Sequence, residues 1–354
     1  MKSKIIGGIC LILAIGIIVI FQLVNKDKPK EITVDGYLGG EKIGLLEDEE
    51  VKEILKKKYG ITVDYTKAGS IEMIEQDSTD KDYLFPSSQT ALELFKETKS
   101  DKLYKSEIIF NSPIVMYTWK PIAEKLIEKG IVVKKDDSYY IADMSGLTKL
   151  ITERKKWSDI GLDSLYGYIT IQSTDPNKSN SGNMFSGLIA NIMNNEEVVD
   201  ETTIDNILPQ LKDFFSKIGY MEHSSSDLFE QYLKTGMGAK PMISGYENQM
   251  IEFAVENPND WNAVKDQVVV LYPTPTVWSS HPLIALNEKG ARFIEAMQDE
   301  EIQKIAWEKH GFRTGVNGTI NTNLEGFSGI PKDIDSVISM PSQSTMQKLM
   351  EGLN

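Results

Sequence analysis

Ile32-Thr33-Val34-Asp35-Gly36-Tyr37 alternates apolar and polar residues as a half-buried strand does, and Leu38-Gly39-Gly40 ends it in a turn. Glu47-Asp48-Glu49-Glu50 then opens a helix that Lys56-Lys57-Lys58-Tyr59-Gly60 closes. Acids at the start, and bases with glycine at the end, match the helix dipole and its C-cap. Ile61-Thr62-Val63-Asp64-Tyr65 is a second strand, followed by Ala68-Gly69-Ser70. A strand-helix-strand unit of this kind implies a parallel sheet.

The alternation continues outward. Tyr83-Leu84-Phe85 reads as a short strand, and Pro86-Ser87-Ser88 leads into a helix over 90–96. Residues 106–119 form a long apolar strand region interrupted by Asn111-Ser112-Pro113, which is what a crossing between two lobes looks like. Helices are expected over 121–129, 144–155, 182–193, 205–218 and 227–235, and strands over 166–171, 268–272 and 283–286. Residues 291–310 read as helical with a break near Asp299, and 342–353 as an amphipathic tail helix. Such alternation favours an α/β fold with helices on both sheet faces and ligands at the carboxyl ends of strands.

At 354 residues the chain is too long for one ordinary core and suits one membrane segment plus a domain split in two. Ile5 to Val24 is apolar apart from Gln22 and would span roughly 30 Å as a helix, the thickness of the bilayer core. No small-x-small site follows it, so it is expected to stay as an uncleaved anchor. Lysines flank it on both sides (Lys2 and Lys4; Lys26, Lys28 and Lys30), so the positive-inside rule does not orient it. The only cysteine, Cys10, lies within this run, and the folded part carries none, which fits export.

The net charge of -14 repels phosphate backbones and argues against nucleic-acid binding. His223, His281 and His310 show no metal spacing, and no nucleophile elbow, phosphate loop or His-Glu-x-x-His motif is present. Neither catalysis nor a cofactor or metal is expected.

Loops rich in hydroxyl groups and glycine carry the functional signal. Thr174-Asp175-Pro176-Asn177-Lys178-Ser179-Asn180-Ser181-Gly182 directly precedes an apolar helix. Its serines suit either of two roles, plain N-capping or the presentation of free N–H groups to a guest at the positive helix end. Pro86-Ser87-Ser88, Gly69-Ser70 and Gly39-Gly40 are further turns of this kind, and Tyr246 follows Ile243-Ser244-Gly245 toward a possible cleft. Lys178 is the one obvious basic residue in these loops.

The 174–182 loop, Tyr272-Pro273-Thr274-Pro275-Thr276, Gln303 to Arg313 and Asn111-Ser112-Pro113 together resemble the two-lobed, periplasmic-type (type 2) extracellular solute-binding proteins of bacterial ABC transporters. Within that family they are most similar to the branch that binds molybdate and other anions. The resemblance covers residues 32–354. It implies an α/β two-lobed clamp with mostly parallel sheets, here preceded by one N-terminal transmembrane helix over 1–24 and a linker over 25–31. Lobe one is then 32–112 plus 279–354, and lobe two 113–278. The resemblance places a small polar or anionic solute between the lobes, touched by Ser70, Ser87 and Ser88 from one side and by Thr174, Ser179 and Ser181 from the other. Gly39, Asp175, Gly182 and Tyr246 complete the expected contact set. A membrane permease is the implied partner, and the domain is expected outside the cell membrane. A ligand-binding sensor or scaffold without a transport role stays open as the alternative.

Overall fold

The structure, a computed structural model, describes residues 29–316, 324 and 327–353. Among these, the strands β1 (Ile32–Leu38), β2 (Ile61–Lys67), β3 (Tyr83–Phe85), β4 (Lys105–Trp119), β5 (Val132–Lys135), β6 (Ser138–Ile141), β7 (Met242–Tyr246), β8 (Val268–Pro273), β9 (Trp278–Ala285) and β10 (Arg313–Thr314) join in one hydrogen-bonded ladder. β1 and β2 pair in parallel, as their strand-helix-strand context implies. Between them, Asp48 caps the helix Glu49–Ile54 by accepting from the Glu50 and Val51 amides, and Gly60 ends the segment at a φ of 67°.

β4 determines the architecture. Its first half pairs with β9 (Lys105 opposite Ala285 through Pro113 opposite Trp278) and with β10. Its second half pairs with β7 (Ile114 opposite Tyr246) and β8 (Trp119 opposite Val268). One continuous strand thus belongs to two sheets. The interruption expected at Asn111-Ser112-Pro113 is a change of partners within unbroken backbone. Pro113 has no N–H to give the ladder, and Ile114 N donates instead to Val277 O at 3.1 Å. The expected parallel pairing holds for β1–β2, β1–β3 and β6–β8, whereas every ladder made by β4 is antiparallel. β4 and β9 traverse the junction in opposite directions, so the assembly is mixed.

Each sheet has its own core. In the first, Tyr83 and Phe85 join one apolar cluster with Val34, Phe110 and Phe293, while Leu84 joins another with Phe95 and Ile284. Successive residues facing opposite ways place helices on both faces of this sheet. The second core gathers Tyr117, Trp157, Phe185, Phe214 and Tyr272. It also contains Met346 and Leu349 of the C-terminal helix Gln343–Leu353, a segment expected with lobe one. The chain is led there by a strap along the second sheet, where Ile338 N donates to Thr276 O (2.8 Å) and Asn191 Nδ2 to Ser339 O (2.9 Å).

Local departures have local causes. The strand expected over 166–171 is reduced to one isolated bridge at Tyr168, beside Gly167 at a φ of 88° and Tyr166, which projects almost fully into solvent. The β5–β6 hairpin turns through Asp136 at a φ of 52°, a conformation aspartate tolerates, and nothing in the sequence reading anticipates it. Among the described residues no helix is long and apolar enough to cross a membrane. The expected anchor over 5–24 lies outside the described residues.

A buried ion pair sits at the junction. Arg313 Nε donates to Glu247 Oε2 (2.6 Å) and its Nη2 to Oε1 (2.8 Å), and Tyr272 OH donates to the same Oε1 (2.6 Å). The remaining guanidinium donors reach Lys332 O (2.7 Å) and Pro331 O (2.6 Å), and the plane lies over Trp307. Removing one partner leaves a buried unpaired charge. Glu247→Gln or Arg313→Met alone should therefore lower the unfolding free energy by about 3–5 kcal/mol. The double variant Glu247→Leu/Arg313→Met should lose much less, and urea unfolding of the three proteins measures the difference. Single losses below about 1 kcal/mol, the range of a solvent-exposed pair, would show that the pair does not hold the junction.

Candidate ligand-binding cleft

The turns after β1, β2 and β3 face two helix starts from the second sheet. Between them lies a cavity of about 410 Å³, lined by Gly39, Glu41, Lys67 and Ser70 on one side and by Ser179 and Asn180 on the other, with His223 to Ser226 beyond. A second cavity of about 480 Å³ adjoins it, under the C-terminal helix. Asn180 spans the gap between the lobes. Its Nδ2 donates to Ser87 O at 2.8 Å, in the turn after β3, and to Tyr246 OH at 2.9 Å, at the end of β7. Ser279 Oγ donates to the same Ser87 carbonyl at 2.7 Å.

Two helices begin at this cleft, Asn180–Met193 and Ser225–Thr235, and a third, Gln89–Thr98, begins beside the adjoining cavity. Their N-cap residues Ser88, Ser179 and Ser224 make no side-chain capping bond. Elsewhere Asp48, Asp143, Asn287 and Asp299 cap their helices. Of the two roles the serines suited, capping is therefore not the one they perform. Ser179 Oγ bonds Ser181 Oγ (3.0 Å), and Ser181 bonds Thr174 Oγ1 (2.7 Å). The positive ends of these helices stay available to an acceptor in the cleft.

Beneath the floor lies a charge that sequence reasoning missed. Lys42, fully buried, donates to Ser87 Oγ (2.6 Å) and lies 3.2 Å from His281 Nδ1, with Glu41 Oε2 at 3.9 Å and the Phe85 ring under the ammonium. Ser87 Oγ donates in turn to Glu41 Oε2 (2.7 Å). Burial lowers the Lys42 pKa from 10.5 to about 8, with the Glu41 charge working against the shift. Burial, then the neighbouring ammonium, holds His281 well below the usual histidine range, so it is neutral and accepts through Nδ1. Tyr246 is pushed well above its ordinary value by burial, then by Glu41, and keeps its proton. The Ser87–Lys42 pair has the spacing of a nucleophile and its base. Neither side chain has exposed surface, however, so no substrate reaches them.

The expected contact residues divide into three groups. Gly39, Ser70 and Ser179 line the cavity. Ser87, Tyr246, Thr174 and Ser181 are buried in the hydrogen-bonded layer behind it. Ser88, Asp175 and Gly182 are not brought to the cleft surface. Ser88 is buried against Thr90, Asp175 Oδ1 accepts from Asn177 N (2.9 Å), and a Cβ on Gly182 would stand 2.3 Å from Thr174 O. Gly39 is required for packing too, since a Cβ there would stand 2.7 Å from Ser87 Oγ and 2.8 Å from Lys42 Nζ. Beyond Lys178, the basic residues of the cleft are Lys67 and the buried Lys42, two places after Gly39-Gly40. Among the described residues no group of three histidine, cysteine, aspartate or glutamate side chains is placed to hold a metal ion.

No protein-family model matches the sequence, and neither does any curated protein. Solved structures share the fold at low identity. Iron-bound HitA from Pseudomonas aeruginosa is 12% identical with a TM-score of 0.60, over 91% of this chain and 99% of that one. The apo ferric ion-binding protein A of Pasteurella haemolytica is 12% identical, with a TM-score of 0.58 over 91% and 95%. The substrate binding protein of an ABC transporter from Agrobacterium tumefaciens is 13% identical, with a TM-score of 0.57 over 92% and 95%.

The Lys42 environment has a pH signature. Below pH 8 the lysine is charged whether the chain is folded or not, and the folded state bears the full cost of burying it. Between pH 8 and 10.5 the unfolded chain holds a proton that the folded chain lacks, so the group's contribution to stability improves as pH rises through that window. The difference is on the order of 3 kcal/mol. The stability of the parent relative to Lys42→Met should accordingly shift in the parent's favour between pH 7 and pH 10 in scanning calorimetry. A gap that stays constant across that range contradicts a buried ammonium.

Proposed function

From a fold shared with the two-lobed extracellular solute-binding proteins of ABC transporters, we propose that this chain captures a small polar or anionic solute between its lobes and presents it to a membrane permease. The observation that carries the reading is the convergence of two helix starts, Asn180–Met193 and Ser225–Thr235, neither capped by its own serine, on one interlobe cavity with Lys67 and Lys178 at its walls. N–H, hydroxyl and ammonium donors together suit an oxygen-bearing anion. Iron is named for two of the compared structures. A bare cation would here meet Lys67 and Lys178 as well as Glu41 and Glu72, whereas the N–H, hydroxyl and ammonium donors all suit an oxyanion or an anionic chelate.

The mechanism is closure of the clamp. A solute that touches both lobes only when they meet shifts the population toward the closed form, by as much as its affinity for the two forms differs. Asn180 supports this reading, because its amide already joins the Ser87 carbonyl of one lobe to the Tyr246 hydroxyl of the other. Residues 5–24 serve as a membrane anchor that keeps the domain on the outer face, close to the permease.

Two measurements test the proposal. Thermal unfolding in the presence of sulfate, molybdate, phosphate or ferric citrate should show a melting temperature that climbs with the concentration of the true ligand, by about 2.7 kcal/mol of added stability at a hundred times its Kd. Asn180→Ala should weaken that ligand about tenfold, the loss of one good hydrogen bond; a flat response to the whole panel counts against solute capture. Separately, deleting residues 1–24 should move the protein from the membrane fraction to the soluble fraction on ultracentrifugation. If the truncated protein still sediments with membranes, the anchor lies elsewhere.

A further inference from the structure

We propose that the solute is longer than a single oxyanion. Its anionic head occupies the cavity at Lys67 and Lys178, and an uncharged tail runs past Ser70 and Asn180 into the cavity beneath the C-terminal helix. The inference rests on the anion-capture reading above and specifies what kind of anion is captured.

The first argument is geometric. Both cavities are lined by the same six residues, Gly69, Ser70 and Glu72 from one lobe and Lys178, Ser179 and Asn180 from the other. The partition between them is therefore the meeting line of the lobes. It is made by side chains and turns that part when the clamp opens, so the open form presents one trough. A small oxyanion displaces only a few water volumes of about 30 Å³ each. A space of about 410 Å³ exceeds that need by itself, and the adjoining 480 Å³ is unused by such a ligand.

The second argument is chemical. The head cavity carries Glu41, Lys67, His223 and the serines that begin the helix Ser225–Thr235. Beyond Ser70 and Asn180 the lining changes. Ile71, Leu94, Met346 and Met350 supply apolar surface, and Asn183 and Gln343 supply neutral amides. Glu72 and Glu75, both exposed, are the acidic residues of this lining, Glu72 on the partition itself. Methionine thioethers adapt to ligand shape without specifying one. The gradient from charged to apolar along one trough fits a molecule with the same gradient, such as an alkyl phosphate or another anion bearing a short aliphatic chain.

Titration calorimetry of the full chain with inorganic phosphate, methyl phosphate and butyl phosphate tests this. The parent should bind butyl phosphate at least about tenfold more tightly than inorganic phosphate, the scale expected for burying several methylene groups. Met350→Trp and, independently, Gln347→Trp place an indole in the second cavity, and each should bring that ratio close to one. Parallel melting curves identify a variant that has merely unfolded. A parent ratio near one, or a ratio that neither substitution changes, overturns the inference while leaving anion capture intact. If no member of the series binds, inorganic phosphate included, the phosphate-type head is refuted and the inference falls with it.

Discussion

The fork between Arg313 and Glu247 is the constraint on which the rest depends. Two sheets with separate cores are connected through one long strand, β4, and through the segment that leads into β9. Such a joint would slide without a fixed point. Arg313 supplies one because its donors are spread in a plane: two meet one carboxylate, and others reach two carbonyls of the tail. A lysine in that place offers a point charge and fewer simultaneous bonds. Because Glu247 also accepts from Tyr272, both buried charges are fully engaged, the condition under which burying them is tolerable.

The cleft follows from this joint. β7 ends at Tyr246, one residue before Glu247, so the clamped carboxylate also sets where Tyr246 meets Asn180. On the facing lobe, the turn after β1 passes Gly39 and buries Lys42 behind Ser87. The cleft is thus backed by an ammonium below and by helix starts in front. In a medium of low polarity these sources act over several ångströms without touching a guest. Glu41 is the local counterweight: its carboxylate lies 3.9 Å from the Lys42 ammonium and is held there by the bond from Ser87. An entering anion would meet helix starts and the exposed Lys67 and Lys178, the latter already 3.4 Å from Asp175.

Much of this was legible in the sequence. The β1–helix–β2 unit, the helices near 121–129, 205–218 and 227–235, and the break at Asp299 follow from periodicity and capping residues, and they appear within a few residues of their expected bounds. Position 299 succeeds because an aspartate cap leaves a local mark, its carboxylate accepting from Glu301 N. The antiparallel ladders of β4 leave no such mark, since pairing direction depends on where distant strands return. Lys42 was illegible for a stronger reason. Lysine is by default a surface residue, and only the fold reveals that Gly39 makes room for its ammonium. Among the serines, the hydroxyl- and glycine-rich composition marked the turns but could not rank them. Ser70 and Ser179 face the cavity while Ser88 turns to Thr90, a distinction set by side-chain rotation.

The strap and terminal helix carry a consequence for biogenesis. Met346 and Leu349 belong to a core whose other members lie between Ile114 and Val277. A ribosome therefore releases nearly all of the second lobe before its last two core residues exist. Until then Gly187, against which Met340 later packs, and the neighbouring helix surface remain uncovered. The first lobe is in a similar position, since β9 is made only after the second-lobe residues 114–277. Neither core is therefore complete until residues from the last fifth of the chain have been joined to it, and each lobe waits on a segment from the far side of the other.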